Sequence, residues 1–159
     1  MERYHEILAH ATYQKLVKKL AQLEEKRQFC RHDIEHFCDV ARIMYILALE
    51  EQSDWSQDVI YATALLHDIG RVREYEEKVP HDQASADIAV DILQETGYDQ
   101  EEIENITEAI LGHRDKGKHE NELADYLARA DHLSRKCFCC PAEEECYWPR
   151  EKKNGTIYI

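Results

Sequence analysis

The stretch Ala62-Thr63-Ala64-Leu65-Leu66-His67-Asp68-Ile69-Gly70-Arg71-Val72-Arg73 decides how this chain is read, because an apolar helix ends there on two adjacent titratable side chains. Going back from His67 at helical spacing meets Ala64, Thr63 and Ile60, so the imidazole continues the face that turns towards the core. Two titratable groups entering a core side by side are tolerated when they are paired, hydrogen-bonded or bound to a metal. Their partner has to come from elsewhere in the chain.

Upstream, residues 2–28 are expected to form a first helix, with Tyr13, Leu16, Leu20 and Leu23 as its apolar stripe and Lys15, Lys18, Lys19, Glu24 and Glu25 on the other faces. Asp33 is placed to cap a second helix over 34–51, whose buried face is Phe37, Val40, Ala41, Met44, Leu47 and Ala48. His36 shares an edge of that face. Ser53 to Ser56 form a loop and cap, and a third helix over 57–68 delivers the His67-Asp68 pair. Gly70 is expected to end that helix in a left-handed conformation, followed by an irregular charged segment from Arg71 to Pro80.

His81 then stands at the start of a fourth helix over 82–96, closed by Gly97. A fifth helix over 100–112 uses Ile103, Ile106, Ile110 and Leu111, and His113 extends their stripe. On a sixth, over 121–135, Asp131 lies four residues after Leu127 and eight after Leu123, on the apolar face. His36, the His67-Asp68 pair, His113 and Asp131 therefore all turn inward from different helices, with His81 at a helix start. A shared metal accounts for this. Imidazole and carboxylate donors without thiolates suit Mn, Fe, Co, Ni, Zn or Mg, with coordination positions left open for water or substrate.

The 159 residues fit one domain with one core, and no strand alternation or internal repeat interrupts the helical pattern. Lys and Arg number 20 against 33 Asp and Glu, a net charge of −13, which argues against binding duplex nucleic acid or an anionic membrane. No apolar run reaches the roughly 18 residues that span a bilayer, and the first residues lack the pattern of a secretory signal, so a cytoplasmic protein is expected. Its six cysteines are then thiols or metal ligands. Cys137, Cys139, Cys140 and Cys146 are either a separate zinc site or ordinary thiols in a C-terminal tail over 136–159, where Trp148 and Ile157 are expected to pack on the bundle or on another subunit.

His36 followed by Phe37-Cys38-Asp39-Val40-Ala41, then Leu65-Leu66-His67-Asp68-Ile69-Gly70-Arg71, then Ala130-Asp131-His132-Leu133-Ser134, resembles the HD-domain superfamily of metal-dependent phosphohydrolases over residues 33–135. The resemblance implies an all-α helical bundle, here of about six helices, with His36, His67, Asp68 and Asp131 as metal ligands. His81 and His113 become candidate ligands of a second metal, since two-metal members supply extra histidines between the pair and the last aspartate. The glutamate found soon after the pair in some subfamilies has no clear equivalent, although Glu74 is near.

The implied reaction is hydrolysis of a small phosphate ester or anhydride, with a nucleotide the leading substrate class, by metal-activated water. Asp68 would bind metal and orient that water. Arg71 is the first candidate for a phosphate clamp, with Arg114, Lys116 and Lys118 behind it. Solvated surface charge is the alternative for these cations. His5, His10, His32, His119 and His132 are read as surface or structural. Two rivals remain open: a di-iron oxygenase on the same scaffold, which needs His81 and His113, and a non-catalytic binding module with a structural metal. A homo-oligomer is compatible with either.

Overall fold

The computed structural model describes residues 2–114 and 121–159, and every regular element among them is helical. The helices are α1 (Tyr4–Ala9), α2 (Ala11–Leu23), α3 (Ile34–Glu50), α4 (Gln57–Leu66), α5 (Arg71–Glu77), α6 (His81–Glu95), α7 (Gln100–Gly112) and α8 (Glu122–Leu133). Two 3-10 turns follow, at Cys137–Cys139 and Arg150–Lys152. The all-α expectation holds. Two of the expected boundaries do not.

The single helix expected over 2–28 is broken at His10, whose ψ of 128° is extended. The two halves have different neighbours: α1 packs on α4, while α2 packs on α5. Arg3 anchors the first half, with its Nε 2.9 Å from Asp58 and two further nitrogens 2.6 and 2.7 Å from the Glu102 carboxylate. A straight helix would not reach both surfaces. Glu24, expected on an outer face, is instead 2 % exposed.

The second difference follows the His67-Asp68 pair. Arg71 to Glu77 form α5 rather than irregular chain, and Lys78, at φ 62°, ends it in the left-handed conformation. Gly70 itself is right-handed, at φ −72°. Its lack of a side chain serves a close approach, since a Cβ there would lie 2.2 Å from the Ser85 backbone nitrogen and 2.6 Å from the His81 carbonyl oxygen. That contact brings the start of α6 against the turn after α4. Gly97, at φ 83°, does use the left-handed region to close α6, as expected.

The helix starts are set by side chains at their caps. Asp33 accepts from the His36 amide at 2.9 Å, Ser56 from Val59 at 3.3 Å, and Asn121 from Ala124 at 3.2 Å. Asp99 and Glu102 form a reciprocal capping box at the start of α7. α3 lies against α4 and α8, and α7 against α4, α6 and α8. Phe37, Met44, Ile60, Leu66, Ile92, Ile106 and Leu127 fill the space between them, each at most 1 % exposed. Burial of each such side chain contributes about 1.5–3 kcal/mol, which opposes the cost of gathering charged groups at one end of the bundle. No helix among the described residues is long and apolar enough to cross a membrane.

The segment after α8 folds back on it. Asn154 Nδ2 donates to the carbonyls of His132 and Arg135 at 2.7 and 2.9 Å, and Trp148 lies against His132 with the Lys152 Nζ over the Trp148 ring, 4.3 Å from its centre. Ile157, expected to pack on the bundle or on another subunit, is 72 % exposed here. All six cysteines are free thiols, and among the described residues Cys137, Cys139, Cys140 and Cys146 form no group of donors close enough for a shared ion.

Candidate metal centre

Helix ends, rather than helix middles, carry the site. His36 is in the first turn of α3, His67 caps the end of α4, His81 is the first residue of α6, His113 caps the end of α7, and Asp131 is in the last turn of α8. Five helix ends thus each place one donor in a common space. His67, Asp68 and His81 are buried to within 2 % exposure, and His36 and His113 nearly so. The Asp131 side chain is 31 % exposed and marks the mouth.

The ligand atoms of His36, His67 and Asp68 lie within 4.8 Å of one another, and so do those of Asp68, His81 and His113. Asp131 Oδ1 joins the first group, 3.2 Å from His36 Nε2 and 3.9 Å from His67 Nε2. Asp68 belongs to both groups: one oxygen is 3.5 Å from His67 Nε2 and the other 3.3 Å from His81 Nε2. Donors about 2.0–2.2 Å from one cation stand about 3–4 Å apart, so these separations match a ligand shell.

The hydrogen bonds on the far side of each ring decide which nitrogen is available. His67 Nδ1 faces the Ala64 carbonyl at 2.7 Å and His113 Nδ1 faces that of Ile110, and a carbonyl can only accept. Both rings therefore carry their proton on Nδ1 and point a bare Nε2 inward. His81 Nδ1 donates in the same way to Glu74 Oε1 at 3.0 Å. For His36 the partner is the Ser134 hydroxyl at 3.2 Å, whose own hydrogen goes to the Asp131 carbonyl at 2.7 Å, so Nδ1 again donates. Outer partners of this kind fix the tautomer of a metal-binding histidine.

Electrostatics agree for His36 and His113, whereas at His67 burial is outweighed by the Asp68 and Asp131 carboxylates, which push the ring up. Burial pushes His36 down to about 4, and it lowers His113 as well, so both are neutral donors near pH 7. Burial alone would raise the Asp68 carboxyl, but His67, Arg71 and His32 outweigh it and hold the group well below the usual carboxylate range. Asp131 is held low against its burial by His36 and His67. Three atoms aimed at this space, His67 Nε2, Asp68 Oδ1 and Asp131 Oδ1, are buried without a hydrogen-bond partner. Such orphaned atoms are rare in a folded protein, and a divalent cation among them removes the deficit. The donor set fits a metal of the nitrogen and oxygen class.

Arg71 also reaches the centre, but in a different posture from a free phosphate clamp. Its Nε is 3.0 Å from Asp68 Oδ2 and its Nη1 3.2 Å from Glu74 Oε2, so its charge is committed to two protein carboxylates. Glu74 thereby links Arg71 to His81. Arg114 is exposed after the end of α7 and makes no contact with the centre among the described residues. Lys116 and Lys118 lie outside the described residues.

One participant was not legible. His32, read as surface or structural, is 5 % exposed, and its Nε2 stands 3.6 Å from Asp68 Oδ2. The buried Glu24 holds it from behind, accepting from the ring Nδ1 at 2.6 Å and from the His32 amide at 2.7 Å. Tyr75 adds a third hydrogen bond to that carboxylate at 2.9 Å. His32 precedes α3 and so has no place on an apolar stripe; its spacing four residues before His36 was the signal available.

Comparison with known proteins agrees with this geometry. The HD domain family matches residues 33–136. A protein of Clostridium beijerinckii, described only as uncharacterized, is 46 % identical over 158 residues and 99 % of both chains. Ribonuclease Y of Oleidesulfovibrio alaskensis is 29 % identical over 125 residues, 79 % of this chain but only 22 % of the ribonuclease, so this chain spans about a fifth of that relative. The crystal structure of a predicted HD superfamily hydrolase from an uncultured Thermotogales bacterium superposes with a TM-score of 0.63 at 23 % identity, covering 88 % of this chain and 80 % of that one, a likeness of fold. With its family match over 33–136 and its histidines and aspartates gathered at one end of a helical bundle, this chain belongs to the HD domain family.

Proposed function

We propose that the protein is a metal-dependent phosphohydrolase acting on a phosphate ester or anhydride of a small molecule, with nucleotides as the substrate class. The observation that carries this reading is the convergence of bare Nε2 atoms from His36, His67, His81 and His113 on the carboxylates of Asp68 and Asp131. His36, His67, Asp68 and Asp131 would hold one divalent cation, and Asp68, His81 and His113 a second. Such a cation lowers the pKa of water towards neutrality and offsets charge on a phosphate oxygen.

The remaining residues position. Ser134 and Glu74 orient the His36 and His81 rings from behind, and Arg71 keeps the Asp68 carboxylate from rotating away from its imidazoles. His32, fixed by Glu24, presents Nε2 beside Asp68 as a hydrogen-bonding group for whatever enters. Asp131 stands at the mouth, where substrate would arrive. The ribonuclease Y relatives, ribonucleases by name, extend the substrate class to phosphodiesters, in keeping with the same arrangement of donors.

Stripped protein reloaded with Mn, Co, Ni, Mg or Fe is expected to release phosphate from one or more members of a panel of nucleotides, phosphomonoesters and dinucleotides, and Asp68→Ala to abolish it. Inactivity with every metal on every substrate would remove the proposal. A di-iron oxygenase is the second reading, favoured by the one observation that Asp68, His81 and His113 complete a second donor group. Oxygen uptake by the iron-loaded protein without phosphate release from any substrate would select it.

A further inference from the structure

In a protein of net charge −13, three arginines without an ion-pair partner among the described residues line one cavity. This cavity of about 440 Å³ opens beside His36 and Ser134, between the approach to α3 and the segment that follows α8. A volume of this size suits a small organic ligand. Its wall includes Arg27, Arg31 and Arg135.

Each arginine is held by neutral acceptors. Arg27 donates to the Cys30 carbonyl at 2.7 Å and the Tyr75 hydroxyl at 3.1 Å, Arg31 to the Glu25 carbonyl at 3.1 Å, and Arg135 to the Arg31 carbonyl at 2.8 Å. Among the described residues none of the three is ion-paired with a carboxylate, although Asp33 and Glu35 share the wall, so each guanidinium keeps donors for an entering anion. The lysines of the same wall behave differently. Lys136 is 2.7 Å from Asp39 and Lys153 2.8 Å from Glu143, so each is spent on a neighbour. Asp33, on the same wall, uses an oxygen to cap α3.

Arg135 joins the cavity to the metal centre. Its Nη2 is 3.3 Å from His36 Nε2, the nitrogen that faces Asp131. A guanidinium has five donors, and Arg135 leaves several unspent at the boundary between the two spaces. A group bound there would sit next to whatever the metal centre holds.

We propose that this cavity binds a second phosphoryl group of the substrate, so that the protein prefers an organic bisphosphate, such as a nucleoside carrying two separate phosphates, to the corresponding monophosphate. The proposal rests on the hydrolase reading for the group at the metal centre, and adds the substrate class. Guanidinium pairs match phosphate oxygens bidentately, and charge-assisted hydrogen bonds of this kind amount to about a tenfold or larger gain in affinity each.

The test measures binding by calorimetry, and turnover in parallel, with adenosine 5′-monophosphate and adenosine 3′,5′-bisphosphate on the metal-loaded protein. The bisphosphate is expected to bind about tenfold or more tightly than the monophosphate. In Arg31→Gln that gap should shrink to less than about threefold while monophosphate affinity is unchanged, and Arg135→Gln should close it as well, with melting temperature confirming that both variants are folded. Equal affinity of the wild type for the two nucleotides, or a gap that survives both substitutions, overturns the proposal. A gap without hydrolysis of either compound would uphold the cavity and remove the hydrolase reading, whereas hydrolysis without a gap would do the reverse.

Discussion

His32 Nε2 stands 3.6 Å from Asp68 Oδ2, and the other nitrogen of the same ring is held 2.6 Å from the buried Glu24 carboxylate. Burial pushes Glu24 up, but its hydrogen bonds from His32 and Tyr75 outweigh this and bring it to about 2, against a usual 4.5. A carboxyl with a depressed folded-state pKa contributes stability that is complete above its unfolded value and lost as pH falls through the folded one. The window here is therefore pH 4.5 down to about 2. Urea unfolding of Glu24→Gln across this range should show a flatter decline than wild type, and a loss at pH 7 of up to about 3 kcal/mol. Parallel declines in the two proteins would mean that the pair is not coupled to folding.

Removing the hydroxyl behind His36 tests whether the tautomer argument matters. Ser134→Ala should weaken metal binding about 10- to 100-fold, and Glu74→Gln should do the same for the cation held by His81, each measured by competition with a chelator. His113→Ala is expected to lower the metal content from two ions per chain to one. Unchanged content in that variant would show that the second donor group is not used.

The orphaned atoms of His67, Asp68 and Asp131 make the metal-free protein less stable than the loaded one. At a free metal concentration about 100 times the Kd, binding adds about 2.7 kcal/mol, which for a chain of this size raises Tm by about 5–10 °C. Differential scanning calorimetry with and without chelator checks this. A Tm indifferent to metal would mean the cluster is satisfied without an ion.

Gly70 and Gly112 are expected to differ sharply when changed to alanine. At Gly70 the added methyl would meet backbone atoms of Ser85 and Ala84 at 2.2 and 2.6 Å, so α6 must shift and carry His81 with it. Overpacking of this kind costs about 1–3 kcal/mol, and the second cation should be lost with it. At Gly112, the last residue of α7, the methyl would meet only the Ala124 Cβ of α8, at 3.6 Å, an ordinary contact, and stability should stay level or rise by up to about 1 kcal/mol. Thermal melts together with metal content distinguish the two outcomes.

Much of the bundle was legible from periodicity. α3, α4, α6, α7 and α8 carry apolar stripes buried largely as expected, except that Leu111 of α7 is 40 % exposed, and their caps at Asp33 and Ser56 form as local side-chain chemistry requires. α5 was not, because Arg71-Val72-Arg73-Glu74-Tyr75-Glu76-Glu77 has a single apolar aliphatic residue and no stripe; packing against α2 and α6 makes it a helix. The break at His10 has the same origin, in surfaces that belong to different neighbours.

For the site, sequence alone placed His36, the His67-Asp68 pair, His113 and Asp131 on or beside apolar helix faces and His81 at a helix start, because a side chain's place on a helix face is a local property of spacing. Only the tertiary structure decided that these residues meet at one end of the bundle, that Asp68 is shared by two donor groups, that Arg71 is committed to carboxylates, and that Glu24 and His32 stand behind the centre. The reason is physical. A residue in a loop, or one that faces a neighbour across tens of positions in the chain, has its surroundings set by how helices pack, and no local periodicity encodes that packing.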